Sequence, residues 1–220
     1  MFCLNNLRQL QLCWQMYCDD HAGRVPPNLA SYVNRAWRSS ADSWIGSSSA
    51  PHDTNTWSIE NGLLFKYDYN RSVRLYRCPA DLSRVRALNG NTLPWLRTRS
   101  YSMNGNLGGR TSEVQRVVSQ VSDLSEPSRL FVFVDEQEDS IDDAHFLVWP
   151  DPDDRWVNLP AGRHAQHGVL SFADGRVEAW KWKWRKQFIT TKPEYWMRAE
   201  NAPDLADLRR LQSVIIQPRP

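Results

Sequence analysis

Chemistry in this chain centres first on His164-Ala-Gln-His167, with Asp174 ten residues beyond the first histidine. Two histidines three apart ligate a metal only where they share a face and a third ligand converges on them. Asp135 or Asp174 would supply that ligand, which gives a metal-hydrolase reading. The His-Glu-x-x-His pattern that brings its own general base is not present. The plainer reading has His164 packed or hydrogen-bonded near a hairpin mouth, with Asp174 as a turn residue.

A second group is acidic. Residues 130 to 154 hold nine carboxylates and no Lys or Arg, whereas residues 71 to 99 hold seven arginines against Asp81 alone. Asp135, Glu136, Asp139, Asp142 and Asp143 could collect oxygen ligands for calcium, the one cofactor the sequence suggests, although EF-hand spacing and its glycine are lacking. The alternative is a solvated acidic loop. The opposite charge blocks could also pair, within one molecule or head to tail between neighbours.

A third group is Trp180, Trp182 and Trp184, which alternate with Lys181 and Lys183 and so project from one face of a strand. Exposed, they would form a platform for sugar rings, helped by Trp44 or Trp149; buried, they are core or interface. No Gly-x-Ser-x-Gly, P-loop or dinucleotide-binding glycine motif occurs, so an enzyme is not supported. The four cysteines form no Cys-x-x-Cys pair and no zinc-finger spacing, which argues against metal held by thiolates. Cys13 and Cys18 are five apart in a predicted helix and point to different faces, whereas Cys3 and Cys78 are distant in sequence and free to meet. Cys3 to Cys78 is the candidate disulfide; four small core residues in a reducing compartment is the alternative.

The elements that must position these groups come from a chain of 220 residues, 41% hydrophobic and 24% charged, with eleven tryptophans. That is one domain, or one with an appendage, able to bury about 70% of its unfolded surface without a staple. The formal net charge of +2 is too mild to imply nucleic acid. No apolar run approaches the roughly 18 to 20 residues of a membrane span and no signal peptide is visible, so the chain as written is expected to be cytoplasmic. Leu4, Leu7, Leu10, Trp14 and Tyr17 predict an amphipathic helix over 3–20, closed by Gly23 and barred from restarting by Pro26-Pro27. A short helix is predicted over 28–38, an exposed loop carrying Trp44 over 39–56, a strand over 72–77 stopped by Pro79, and a strand into a turn over 99–105. A short helix over 111–121 and a central, doubly covered strand over 130–134 follow. Asp174-Gly175 between alternating runs predicts a type I′ hairpin over 168–184, with Phe172 facing Val177, Leu170 facing Ala179 and Val169 facing Trp180. Pro203, early acids and late arginines predict a C-terminal helix over 201–211. The order is α+β.

His164, nine intervening residues and then Asp174-Gly175, in a strand-turn-strand that ends in Trp180, resembles the signature of the prepilin-type, processing-associated H-X9-DG proteins. These are pseudopilin-like and related to the major pseudopilin of type II secretion. Cys3-Leu-Asn-Asn-Leu-Arg-Gln-Leu10, Tyr17-Cys-Asp-Asp20 and Gly23-Arg-Val-Pro-Pro27 are similar to the segment that follows the membrane helix in that family. Tyr76-Arg-Cys-Pro-Ala-Asp81, Arg99-Ser-Tyr-Ser-Met-Asn104, Phe133-Val-Asp-Glu136 and Asp207-Leu-Arg-Arg-Leu-Gln212 are similar to its internal and closing motifs. The resemblance covers nearly the whole chain. It implies a single pilin-like domain: residues 1–22 as the soluble part of an N-terminal helix, 23–185 as a strand-rich body on an antiparallel sheet, and 186–220 as a tail with a short helix. It implies a non-enzymatic subunit of a pseudopilus whose partners are like subunits and the secretion machinery. Family members carry a basic leader, a processing site and an apolar helix, none of which precedes Met1; the expectation is a trimmed start. A full-length form would then be periplasmic or in the cell envelope, where a Cys3–Cys78 disulfide persists. The alternative function, from another class, is a soluble carbohydrate-binding module using the Trp180, Trp182 and Trp184 face.

Overall fold

The computed structural model describes residues 2–33, 36–68, 71–109, 116–187 and 196–216. The first helix, α1 (Phe2–Asp20), forms as its spacing predicts, burying Cys3, Leu7, Leu10, Gln11, Cys13, Trp14, Tyr17 and Cys18 along one stripe. Its end is closed by the Gly23 amide, 2.8 Å from the Cys18 carbonyl, with Gly23 at φ +79.

The described residues of the predicted helix over 28–38 are not helical. Ala30–Val33 (β1) and Ala36–Ser39 (β2) pair antiparallel, with Tyr32 opposite Trp37 and their rings 5.5 Å apart. Aromatic and β-branched side chains gain more from such a cross-strand pair than from a helix they would crowd. The loop that follows is not open to water at its tryptophan: Trp44 is fully buried, and its indole N–H donates to Asn28 Oδ1 and the Ala144 carbonyl, both at 3.2 Å. A ring this large is drawn inward when its one polar atom finds partners. One helical turn, α2 (Trp57–Glu60), comes next.

The predicted strand over 72–77 is instead a 3-10 turn, Val73–Tyr76, in which the Leu75 amide reaches the Ser72 carbonyl and Leu75 and Tyr76 are buried. Alternating polarity over so few residues fits either geometry, and among the described residues no strand pairs with this segment. Arg84–Arg86 (β3) and Thr92–Leu96 (β4) form a small hairpin. The predicted helix over 111–121 lies partly outside the described residues; within them, Val118 and Gln120 make single bridges to Leu107 and Arg24.

The main sheet has five strands. Tyr101–Asn104 (β5), Phe131–Asp135 (β6), His145–Phe146 (β7), His167–Phe172 (β9) and Val177–Lys181 (β10) lie in the order β10-β9-β6-β5-β7. Between β7 and β9 in the chain, Arg155–Trp156 (β8) pairs apart from this sheet with Met197–Arg198 (β11). β5 and β7 run parallel, so the sheet is mixed rather than wholly antiparallel. The central strand is β6, buried at every residue as its continuous apolar run predicts. A register shift between Phe131 and Val134 puts Val132 and Phe133 in the cluster beneath α1, and Phe131 and Val134 in the cluster on the other side. That second face is covered by α3 (Ala202–Gln212), which begins at the Asn201 cap and buries Leu208 and Leu211 against Trp156, Trp180 and Trp182. No helix among the described residues is long and apolar enough to cross a membrane.

The β9–β10 hairpin forms with a different turn and register. Val177 pairs with Ser171, Ala179 with Val169 and Trp180 with Gly168. Of the turn residues only Gly175 has positive φ, at +91, where a type I′ turn would need two; Gly175 N–H bonds the Phe172 carbonyl at 2.9 Å. The extra turn residue slips β10 by one position, and a one-residue slip exchanges its faces. Trp180 therefore joins Leu170 and Phe172 beneath α3.

Candidate thiol, imidazole and carboxylate site

Four side chains far apart in sequence meet at the end of β6: Cys3, Cys78, Asp135 and His164, whose ligand atoms all lie within 4.8 Å of one another. Each is positioned by a different piece of backbone. Cys3 sits in the first turn of α1 and is buried. Cys78 follows the 3-10 turn just before Pro79, and its amide donates to Ser100 Oγ at 3.1 Å. Asp135 is the last residue of β6 and pairs across the ladder with Tyr101. His164 lies in the loop that leads into β9, where Ala165 and Gln166 both take left-handed conformations, φ 52 and 64. Such residues cost about 1–2 kcal/mol each, so packing elsewhere holds this loop in the shape that aims the imidazole inward.

Within the cluster, Cys78 Sγ is 3.2 Å from His164 Nε2, Cys3 Sγ is 3.7 Å from Asp135 Oδ2, and the Tyr101 hydroxyl is 3.1 Å from Cys3 Sγ. Arg163 holds the other oxygen of Asp135 in an ion pair, and also meets Asp81 at 3.5 Å and Glu138 at 3.2 Å. Asp81 is fixed in turn by the hydroxyl of Ser100 at 2.6 Å and the amide of Ser83 at 2.9 Å.

The electrostatics follow from burial. A hydrogen bond with Cys78, then burial and the field of Asp135, push the Cys3 thiol far above its ordinary range, so it is protonated at neutral pH without a cation. Burial drives the Asp135 carboxyl up to about 6 against the pull of Arg163. Burial also opposes ionisation of Asp81, but Arg163 and the Ser100 and Ser83 bonds outweigh it and hold Asp81 below the usual range. Burial lowers His164, which favours the neutral imidazole.

The sequence-derived candidates distribute as follows. Cys3 and Cys78 do meet, as free thiols with no disulfide between them. The spacing argument against thiolate-held metal considers only short motifs, whereas the four groups that meet here come from separate segments of the chain. Asp174 and Gly175 stand at the far end of β9 from His164, so the nine intervening residues are a loop and a strand's length rather than one site. Asp174 is exposed and accepts from the Arg176 amide at 3.0 Å. His167 turns its Nδ1 to the carbonyls of His164 and Ala165, at 2.8 and 3.0 Å, away from the cluster.

The five acids considered for calcium go to separate partners. Asp135 joins the thiols, Glu136 binds Ser140 and Asn158 at 2.8 and 2.9 Å, Asp139 pairs with Arg86, and Asp143 caps the His145 amide at 2.7 Å, with the Asp142 side chain accepting from the Asp143 amide at 2.8 Å. The arginine-rich and acidic blocks meet within one molecule, through Arg86 with Asp139 and Arg97 with the Glu138 carbonyl. Trp180 and Trp182 are buried under α3, and Trp184 is half-buried. The Trp182 indole donates to the Ala161 carbonyl at 2.8 Å, so these rings form core rather than a platform for sugars. Arg163, Asp81 and Tyr101 complete the site. Asp81 and Tyr101 lie in stretches the family resemblance already quotes, and Arg163 is signalled only by its position beside His164. Comparison of the chain with protein-family models, curated proteins and solved structures finds no match in any of the three.

Proposed function

We propose that this chain is a non-enzymatic, pilin- or pseudopilin-like structural subunit of a type II secretion or related filament system, working by assembly with like subunits and the secretion machinery. The observation that carries the reading is the two-sided character of α1. One side is packed on the sheet, while Phe2, Leu12 and Met16 stand exposed on the outside, with 78%, 54% and 42% of their surface open. An amphipathic helix with a second apolar edge is suited to lie against the helices of neighbouring subunits in a filament core. The hairpin that carries His164, Asp174 and Gly175 supports the reading through its likeness to the H-X9-DG signature.

A photo-crosslinking residue at Leu12 or Met16 of the full-length protein, in cells, should give a ladder of multimers. Leu12→Asp should abolish the ladder while the purified domain keeps its melting temperature. Monomer alone from both positions overturns the proposal.

A further inference from the structure

We propose that Cys3, Cys78, Asp135 and His164 form a closed four-coordinate site for a thiophilic divalent cation of the zinc class. The donor set comes first. Two sulfurs, one imidazole nitrogen and one carboxylate oxygen favour zinc over calcium or magnesium, which take oxygen ligands. The spacing comes second. Zinc bonds of about 2.0–2.3 Å in a tetrahedron put the ligand atoms about 3.3–3.8 Å apart. The sulfur-to-nitrogen and sulfur-to-oxygen separations here are 3.2 and 3.7 Å, and all separations lie within 4.8 Å. The site contracts to tetrahedral size by small side-chain rotations.

The surroundings fit as well. Binding displaces the two thiol protons to solvent, so two thiolates, one carboxylate and a dication leave one net negative charge. Arg163, on the outer oxygen of Asp135 and shared with Asp81 and Glu138, offsets part of it. The Tyr101 hydroxyl is placed to donate to the Cys3 thiolate. These are the outer partners that orient ligands and tune a buried metal site. His164 is only half-buried and leaves a way in for the ion. All four positions are filled by protein, so the ion is structural: it ties the first turn of α1 to the end of β6 and the entry of β9. A Cys3–Cys78 disulfide would consume both sulfurs, so the two states exclude each other.

The test uses the purified protein, reduced and stripped with a chelator, then titrated with zinc and, separately, with cobalt(II). The expected result is one equivalent of zinc bound, a thiolate-to-cobalt charge-transfer band, and a higher melting temperature with zinc than with chelator. Cys78→Ser and His164→Ala should each weaken zinc binding by about 100-fold or more, whereas His167→Ala should leave it unchanged. If a ligand variant fails to fold, the native protein decides: zinc should protect Cys3 and Cys78 from thiol reagents. Three results overturn the proposal: folded, reduced protein that binds no stoichiometric zinc, cobalt bound without a thiolate band, or a Cys3–Cys78 disulfide in protein isolated under air.

Discussion

Cys78 Sγ lies 3.2 Å from Nε2 of His164, a residue 86 positions further along the chain, and this contact joins the two halves of the molecule. It makes the histidine of the His164-to-Asp174 motif an anchor for the N-terminal half, while the Asp174-Gly175 end shapes a turn a strand's length away. The motif thus reads as a strand with a fixture at each end.

Cys13 and Cys18 are buried in α1, where burial pushes both thiols up to about 12. At pH 8 their thiolate fraction is on the order of 10⁻⁴, so alkylation should proceed only through unfolding. Mass spectrometry after a brief iodoacetamide pulse should find both unmodified in native protein and modified in urea; rapid native labelling would show that α1 is not seated on the sheet.

The same thiols give a pH dependence. Unfolded thiols ionise near 9 while the folded ones keep their protons to about 12, so above pH 9 the native state binds more protons than the unfolded state. Their contribution is complete below pH 9 and is lost as pH rises towards 12. Urea midpoints should fall across that window, and fall less steeply in the Cys13→Ala, Cys18→Ala double variant.

Lys186 is buried between two carboxylates of α3, with Nζ 2.7 Å from Asp204 and 2.8 Å from Asp207. Asp207 also accepts the amides of Lys183 and Trp184, at 2.9 and 3.0 Å. Lys186→Met leaves two buried carboxylates facing each other and should cost about 3–5 kcal/mol in urea unfolding. A loss below about 1 kcal/mol would mean that α3 docks through its leucines alone.

Trp182→Ala should cost about 3–5 kcal/mol of stability, the expected loss for emptying a buried tryptophan site. Tryptophan fluorescence of the wild type should be indifferent to a panel of polysaccharides. Quenching that disappears in this variant would restore the sugar-binding reading.

Gly175→Ala tests the turn. Its φ of +91 disfavours any side chain, and an added Cβ would lie 3.0 Å from Nε2 of Gln15, the end of a flexible side chain that can move. The cost should be about 1–2 kcal/mol, from backbone conformation. Adding Gln15→Ala should not relieve it; relief would assign the cost to the contact with α1.

Periodicity made α1, α3, the buried run of β6 and the existence of the β9–β10 hairpin legible, because each buries a continuous stripe or run that local spacing records. It misread 28–38 and 72–77, where short alternating segments fit more than one geometry and the neighbour decides. It misread the hairpin by one residue because Asp-Gly fits turns of two lengths, and the choice between them sent Trp180 to the α3 side.

Apolar spacing and turn residues act locally, and they suffice to specify an α+β chain with helices at both ends and a strand-rich middle. That Cys3, Cys78, Asp135 and His164 share one small volume with Arg163 beside them comes from the packing of distant segments. No spacing rule encodes that meeting, since it depends on how α1 crosses the sheet and where β6 stops. Burial then sets the chemistry: the same thiols and carboxylate that would titrate ordinarily in water are held together where only a proton or a cation can balance their charge.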